Sequence, residues 1–224
     1  MTQALAEYRR GSGAGVSVTG WELEKNIPHG SGLGAGSSDA ASALLLAARM
    51  SGGAEAMRLT EVAARVGSDC AFFVHGWPAA EATGRGEVLR PVAMRPMPVV
   101  VVWPGFPCGT AEAYRALRPE DLGARSDVPA LEAWLARPEG PAPATFNAFE
   151  LGACERHPVI GRILSELRTA GAALTHLSGS GSACFGIYSG TAGAEEGLAR
   201  VEALRNRETS GRRWWTCHTT AAKA

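Results

Sequence analysis

Lysine is almost absent from this sequence of 224 residues: Lys25 and Lys223 are the only two, and arginine supplies the rest of the positive charge. Neither stands in a Gly-Lys-Ser/Thr arrangement ahead of a helix, which excludes a Walker-type phosphate loop. An excess of either charge is missing as well. The 22 basic side chains balance 22 acidic ones, for a formal net charge of zero. A non-specific nucleic-acid binder carries a basic surplus, so no nucleic-acid partner is expected. Paired cysteines are lacking: Cys70, Cys108, Cys154, Cys184 and Cys217 are odd in number, widely spaced and without a Cys-x-x-Cys pair. That pattern argues against a disulfide framework or a zinc site, and for reduced thiols. Long apolar runs are absent too. The longest, Pro98 to Pro104, falls far short of the roughly 20 residues that cross a bilayer, and Met1 to Arg10 has no apolar signal-peptide core. A soluble, cytoplasmic protein without a membrane partner is the resulting expectation.

What is present suffices for a core: 46% of residues are hydrophobic and 20% charged, which excludes global disorder. No internal repeat occurs. Thr2 to Arg10 reads as a helix ended by the Gly-Ser-Gly-Ala-Gly run at Gly11 to Gly15. Val16 to Leu23 alternates apolar and polar side chains, the period of a half-buried strand. A glycine-rich loop, Pro28 to Gly36, precedes Ser38 to Met50, whose Ala and Leu on every side predict a helix buried all round. Leu59 to Val66 has helical spacing and stops at Gly67-Ser68-Asp69. Ala79 to Leu89 suits a hairpin around Gly84-Arg85-Gly86, and Val99 to Trp103 a buried strand bounded by prolines. Residues 118 to 145 predict a surface helix and loop, and His157 to Ala170 a further helix. Ser178 to Ser182 is a second glycine-rich turn leading into a strand, Ala183 to Tyr188. A helix over Glu195 to Asn206 and a closing strand over Arg213 to Thr219 complete the chain. Strands and helices without regular βαβ alternation indicate α+β.

The segment Pro28-His29-Gly30-Ser31-Gly32-Leu33-Gly34-Ala35-Gly36-Ser37-Ser38-Asp39 carries the chemistry. Its glycines allow positive φ and a close approach of backbone amides to an anion. Ser37 and Ser38 suit a helix cap and also offer hydroxyls to phosphate oxygens. The free amides and positive dipole end of the following helix face the same point. The spacing does not suit a dinucleotide fingerprint, which needs Gly-x-Gly-x-x-Gly after a first strand. A flexible loop in a chain with 28 glycines is the plain alternative.

The pattern Pro-x-x-x-Gly-Leu-Gly-x-x-Ser-Ser resembles the phosphate loop of the GHMP kinases. Its longer form, Gly-x-Gly-Leu-Gly-x-Gly-Ser-Ser-Asp-Ala-Ala, is similar to that of the diphosphocytidyl-methylerythritol branch. Further stretches agree in order. Gly67-Ser68-Asp69-Cys70-Ala71-Phe72-Phe73 resembles the family's Gly-Ala-Asp-Val-Pro-Phe-Phe, and Gly84-Arg85-Gly86-Glu87 its Gly-x-Gly-Glu turn. Pro104 through Thr110 and Tyr114 resembles its Pro…Thr…Tyr segment. Phe146-Asn147-Ala148-Phe149-Glu150 and Ser178-Gly179-Ser180-Gly181-Ser182-Ala183-Cys184-Phe185 resemble two later motifs.

The resemblance implies a two-lobed α+β fold. Residues 1–92 would form an incomplete N-terminal lobe like domain 2 of ribosomal protein S5, and residues 93–224 a ferredoxin-like C-terminal lobe. It implies ATP and Mg²⁺ as cofactors and a cytidine-diphosphate-linked polyol as phosphate acceptor. Pro28 to Ser38 would grip ATP phosphates, with Ser37 or Ser38 near Mg²⁺, and Asp69 would take the acceptor's hydroxyl proton. Composition alone makes Asp69 a turn residue. Gly179, Ser180 and Gly181 would pack beside the phosphates, Thr110 would lie near them, and Phe106 and Tyr114 are candidates to stack on a cytosine, although aromatics beside a buried strand also suit a core. Lys25 would border the nucleotide, or stand as an exposed strand-end lysine. His29 and His75 read as incidental. The family's opening Ala-Lys-x-Asn-Leu-x-Leu strand has no match here. Ala35 replaces a frequent glycine, which negative φ would tolerate, and Cys70-Ala71 replaces Val-Pro. Two alternatives stay open: another GHMP kinase of the homoserine or mevalonate type, and a non-catalytic nucleotide-binding relative.

Overall fold

A computed structural model describes residues 1–12, 20–52, 56–122, 126–208, 211 and 213–221. The chain divides into two compact units: Met1–Asn26 with Gly34–Val92, and Ile27–Leu33 with Ala93–Ala224.

The first unit is helical. It contains α1 (Thr2–Ser12), α2 (Ala35–Met50), α3 (Ala56–Val66), α4 (Cys70–His75) and the hairpin of β1 (Ala80–Thr83) and β2 (Val88–Pro91). Its core is built largely from small side chains: Ala40, Ala43, Ala47 and Ala48 of α2 meet Ala4 and Tyr8 of α1 and Leu59, Val62 and Ala63 of α3. Alanines keep the helix surfaces shallow, so neighbouring backbones pack closely. Ser51 ends α2 by donating its hydroxyl to Ala47 O at 2.9 Å, and its Oγ lies 2.5 Å from the Tyr8 hydroxyl. The hairpin forms around Gly84 and Gly86, both at positive φ, and Arg90 pairs with Glu81 across it at 2.9 Å.

Two expectations fail in this unit. The helix after the loop is not buried all round: Leu46 is 55% and Met50 65% exposed, on the same side as exposed Ser42 and Arg49. An all-apolar composition specifies burial only where a partner exists for every face. The strand expected over Val16–Leu23 falls partly outside the described residues, and residues 20–23 form no strand. Alternation makes a strand only where a neighbouring strand accepts its backbone hydrogen bonds, and among the described residues none pairs with this segment.

The second unit has β3 (Met97–Trp103), α5 (Thr110–Arg115), a 3₁₀ turn (Pro119–Leu122), α6 (Val128–Ala136), α7 (Glu150–Arg156), α8 (Pro158–Thr169), β4 (Leu174–Leu177), β5 (Cys184–Ile187), α9 (Thr191–Arg207) and β6 (Trp215–Ala221). The sheet order is β4-β5-β3-β6, with every neighbouring pair antiparallel. Taking β3, α8, β4, β5, α9 and β6 in turn gives the βαββαβ order of a ferredoxin-like fold. Strand β3 sits centrally and its side chains alternate between two cores. Val100 and Val102 join Ile160, Ile163, Leu164 and Leu167 of α8 and Val201 and Leu204 of α9. Met97 and Val99 face Trp134 of α6 and Ile187. Both faces are thus covered, which is why β3 reads as an unbroken β-branched run rather than an alternating one.

Candidate active site

Within the second unit, the first half of the glycine loop is pinned by its own backbone. The Gly30 carbonyl accepts from Cys108 N at 3.3 Å and the Ser31 carbonyl from Ala183 N at 2.9 Å, and Ser31 is only 2% exposed. The Gly32 carbonyl accepts the Ser178 hydroxyl at 2.9 Å. Gly30 and Gly32 hold φ of 68° and 83°, in the region L-residues avoid. The approach at Gly32 is the closest: a Cβ there would lie 2.2 Å from Ser178 O and 2.9 Å from Gly181 O. Glycine is required by both backbone angle and space.

The Ser178–Ser182 turn packed against this loop is itself held by side chains. Asn147 Nδ2 donates to Leu177 O at 2.8 Å and Gly179 O at 2.9 Å. Its Oδ1 accepts from Phe149 N at 2.9 Å, opening α7. Glu150 Oε2 accepts from Leu177 N at 2.8 Å and pairs with His176 Nδ1 at 2.9 Å. Thr110 Oγ1 meets Ser180 Oγ at 3.2 Å, so two hydroxyls singled out from the sequence do lie together. Ser182 donates to Phe106 O. Phe106, expected as a possible ring partner for cytosine, is a core residue, 9% exposed, with His157 4.6 Å from its ring. Its position just past a buried strand carries it inward. Tyr114 is 63% exposed and meets Phe149 edge-on at 4.9 Å.

The second half of the loop belongs to the first unit and opens α2. Gly34, at φ 69°, is the N-cap, and no side chain caps the helix. The expected serine cap is therefore wrong. The helix begins three residues earlier than its composition suggests, leaving Ser37 and Ser38 inside its first turn. Ala35 is helical, so its methyl group is tolerated, and Gly36 is helical rather than at positive φ. The first amides of such a helix have no intrahelical acceptor. Among the described residues, no neighbouring atom lies within 4 Å of the position a methyl group would take on Gly36. Lys25 Nζ lies 2.5 Å from Asp39 Oδ2, bringing a positive charge to this turn.

Asp69 is the N-cap residue of α4 but makes no side-chain cap bond, so the turn it occupies joins two helices. Its exposed carboxylate accepts from Ser68 Oγ at 3.3 Å, and the hairpin turn approaches it, with a Cβ on Gly86 falling 3.9 Å from Oδ1. The next residue, Cys70, is hydrogen-bonded to Ser37; burial and the charge of Asp69 nevertheless leave its thiol raised. That bond links the first turn of α2 to the segment carrying Asp69. His29 is exposed, and His75 stacks on Trp77 at 3.8 Å.

Among the described residues no group of three or more His, Cys, Asp or Glu is placed to hold a metal. The first turn of α2 instead offers the hydroxyls of Ser37 and Ser38; the Asp39 carboxylate of the same turn is engaged by Lys25 Nζ. That sparse oxygen set fits Mg²⁺, which keeps several waters and is held partly by substrate phosphates. Burial raises the thiols of Cys108 and Cys154, and that of Cys184 well above the ordinary value; all five cysteines are free. Sequence reasoning does not identify Asn147, Glu150 and His176 as turn-holding residues. Asn147 and Glu150 stand in a matched motif, but their role depends on contacts about 30 residues away, to which sequence spacing gives no signal.

Residues 1–77 match the model of the GHMP kinase N-terminal domain and residues 130–206 that of the GHMP kinase C-terminal domain. A 4-diphosphocytidyl-2-C-methyl-D-erythritol kinase of Thermus thermophilus is 42% identical over 192 residues, 86% of this chain. The chain spans 66% of that relative's length. The corresponding kinase of Bradyrhizobium sp. ORS 278 is 36% identical, covering 90% of this chain and 68% of its own. A crystal structure of 4-(cytidine 5'-diphospho)-2C-methyl-D-erythritol kinase superposes with TM-score 0.76 at 36% identity, over 98% of this chain and 76% of that one. Homoserine kinase from Cytophaga hutchinsonii shares the fold, with TM-score 0.66 and 14% identity over 88% of this chain and 69% of its own.

Proposed function

Starting from the chain's membership of the GHMP kinase family, we propose that it transfers the γ-phosphate of ATP to the 2-hydroxyl of 4-diphosphocytidyl-2-C-methyl-D-erythritol. The observation that carries this reading is the glycine loop running directly into the uncapped N-terminus of α2. Unpaired amides at a positive dipole end suit a polyphosphate. The acceptor identity draws on relatives of that name at 35–42% identity.

In the proposed reaction, Pro28 to Ser38 grip the phosphates through backbone amides, with Gly34, Ala35 and Gly36 at the helix start. Phosphoryl transfer is mostly positioning and charge neutralisation. Mg²⁺, when bound, supplies neutralisation of phosphate charge, and Ser37 or Ser38 would hold it. Asp69 accepts the acceptor hydroxyl's proton as the oxygen attacks phosphorus; the bond from the γ-phosphorus to the bridging oxygen breaks and ADP leaves. An exposed carboxylate at the end of a short turn, with Ser68 as its hydrogen-bond donor, is free to meet an incoming hydroxyl. Lys25, Thr110, Gly179, Ser180 and Gly181 border the phosphates or acceptor, and the reaction takes place in the cytoplasm. Residues 1–92 act as the ATP-binding lobe and residues 93–224 as the second.

Nucleotide binding without transfer is a second reading. It is favoured by the engagement of Lys25, one of two lysines in the sequence, with Asp39. ATP-dependent phosphorylation of 4-diphosphocytidyl-2-C-methyl-D-erythritol decides between them. Turnover lost in Asp69→Asn with ATP affinity retained supports the kinase; ATP binding with no turnover in the unaltered chain favours the second reading; neither binding nor turnover sinks both.

A further inference from the structure

His176 stands in β4, immediately ahead of the second glycine turn, and both of its ring nitrogens are engaged. Nδ1 lies 2.9 Å from Glu150 Oε2 and Nε2 lies 2.6 Å from Thr145 Oγ1. The same Glu150 oxygen accepts the Leu177 amide at 2.8 Å, so one carboxylate holds the ring and the residue just before Ser178. The three side chains come from separate segments: the connection after α6, the first residue of α7, and β4. The His176 and Glu150 side chains are only 17% and 22% exposed.

Burial pushes the Glu150 carboxyl up, but hydrogen bonds from His176 and Leu177, helped by the charges of His176 and Arg168, leave it below its ordinary value. An ionised carboxylate only accepts. The proton between Glu150 and His176 therefore sits on Nδ1, and in the neutral ring Nε2 is left to accept from the Thr145 hydroxyl. The relay is polarised one way, from Thr145 O–H through the imidazole to the carboxylate.

We infer that the Thr145–His176–Glu150 relay positions the Ser178–Ser182 turn and, through the Ser178 hydroxyl on Gly32 O, the first half of the phosphate loop. His176 and Glu150 are positioning residues acting through the backbone at Leu177. Any kinetic consequence rests on the kinase reading above; the structural one does not.

The test uses the full chain. In long-range ¹H–¹⁵N spectra of the neutral ring, with His176→Gln as the assignment control, His176 carries its proton on Nδ1. A His176 protonated on Nε2 overturns the inference. Glu150→Ala speeds amide exchange at Leu177, Ser178 and Gly181 about tenfold or more, leaving β3 amides unchanged. Glu150→Gln retains protection, because a carbonyl oxygen in the Oε2 position still accepts from both Leu177 N and His176 Nδ1–H. Unchanged turn exchange in Glu150→Ala, or exchange raised equally throughout β3, overturns the positioning role. With an active enzyme, kcat/KM for ATP falls about tenfold in Glu150→Ala and is restored by Glu150→Gln. If the unaltered chain shows no turnover, the kinase reading fails while tautomer and exchange still decide this one.

Discussion

Replacing Gly32 by alanine adds one methyl group at the tightest backbone approach near the loop. The native φ of 83° disfavours an L-residue by about 1–2 kcal/mol. The new Cβ would also stand 2.2 Å from the Ser178 carbonyl oxygen, well inside van der Waals contact, so loop and turn must separate by about 1 Å. That movement breaks the 2.9 Å bond from the Ser178 hydroxyl to Gly32 O, a further loss of about 0.5–1.5 kcal/mol. The expected destabilisation is about 1.5–3.5 kcal/mol before repacking. Urea unfolding, followed by tryptophan fluorescence with buried Trp134 and Trp214 as reporters in this unit, measures it through the midpoint. Gly36→Ala is the matched control. Among the described residues no neighbouring atom lies within 4 Å of its added methyl and the site is helical, so it stabilises by about 0.4–1 kcal/mol. Its methyl nonetheless enters the space proposed for phosphate, and ATP affinity falls. A Gly32→Ala midpoint shift worth less than about 0.5 kcal/mol refutes the steric argument. Unaltered ATP affinity in Gly36→Ala refutes the placement of phosphate beside that residue.

Asp69→Asn is expected to lower kcat about 10²–10⁴-fold with little change in KM for ATP; steady-state kinetics retaining near-native kcat would exclude it as the base. Gly197→Ala puts a Cβ 2.1 Å from the Tyr188 hydroxyl, displacing a side chain that is 1% exposed. Thermal unfolding should show a loss of about 1–3 kcal/mol, and an unshifted midpoint would contradict the packing described. The Glu150 carboxyl is held below its ordinary value of 4.5, so its contribution to stability is complete above that value and is lost as pH falls through the lower folded one. Unfolding measured across this acid window should show a shallower slope in Glu150→Gln; an identical slope counts against the pairing. Fully buried Cys184, its thiol raised by burial, should resist alkylation in the native state far longer than half-buried Cys217. Peptide mass mapping after iodoacetamide shows the order, and equal rates would contradict the burial.

What is legible in the sequence is what adjacent residues decide. The hairpin needs only Gly84 and Gly86 between two short runs, and β3 needs only its own β-branched stretch between covering helices. The glycine loop proposed to hold phosphate is visible for the same reason, since its glycines, serines and the following helix lie within a dozen residues. The start of α2 escapes a sequence reading because two local signals compete there. Serines favour an N-cap through a side-chain bond, whereas Gly34 caps by adopting φ 69°, and composition alone cannot rank them. Phe106 escapes it because the direction of a side chain leaving a strand depends on α8, supplied some fifty residues later. β4, four residues long, is too short for its period to stand out.

The held turn lies furthest beyond sequence reading. Its bonds span 26, 31 and 146 residues of sequence in His176–Glu150, His176–Thr145 and Ser178–Gly32, and each partner has an ordinary local role as a cap, a loop or a strand residue. Glycines at Gly32, Gly179 and Gly181 announce that two backbones can approach; they do not say which ones. The choice is made by the sheet, because β4–β5 pairing through Leu177↔Cys184 fixes where the intervening turn projects, and α7 with the residues just before it then supplies Glu150 and Asn147 to hold it. Local chemistry thus makes a phosphate loop possible, while the fixed geometry of its first half is a property of the ferredoxin-like unit. Substitutions at Glu150 should accordingly perturb the loop from a distance, whereas those at Gly36 act on the ligand directly.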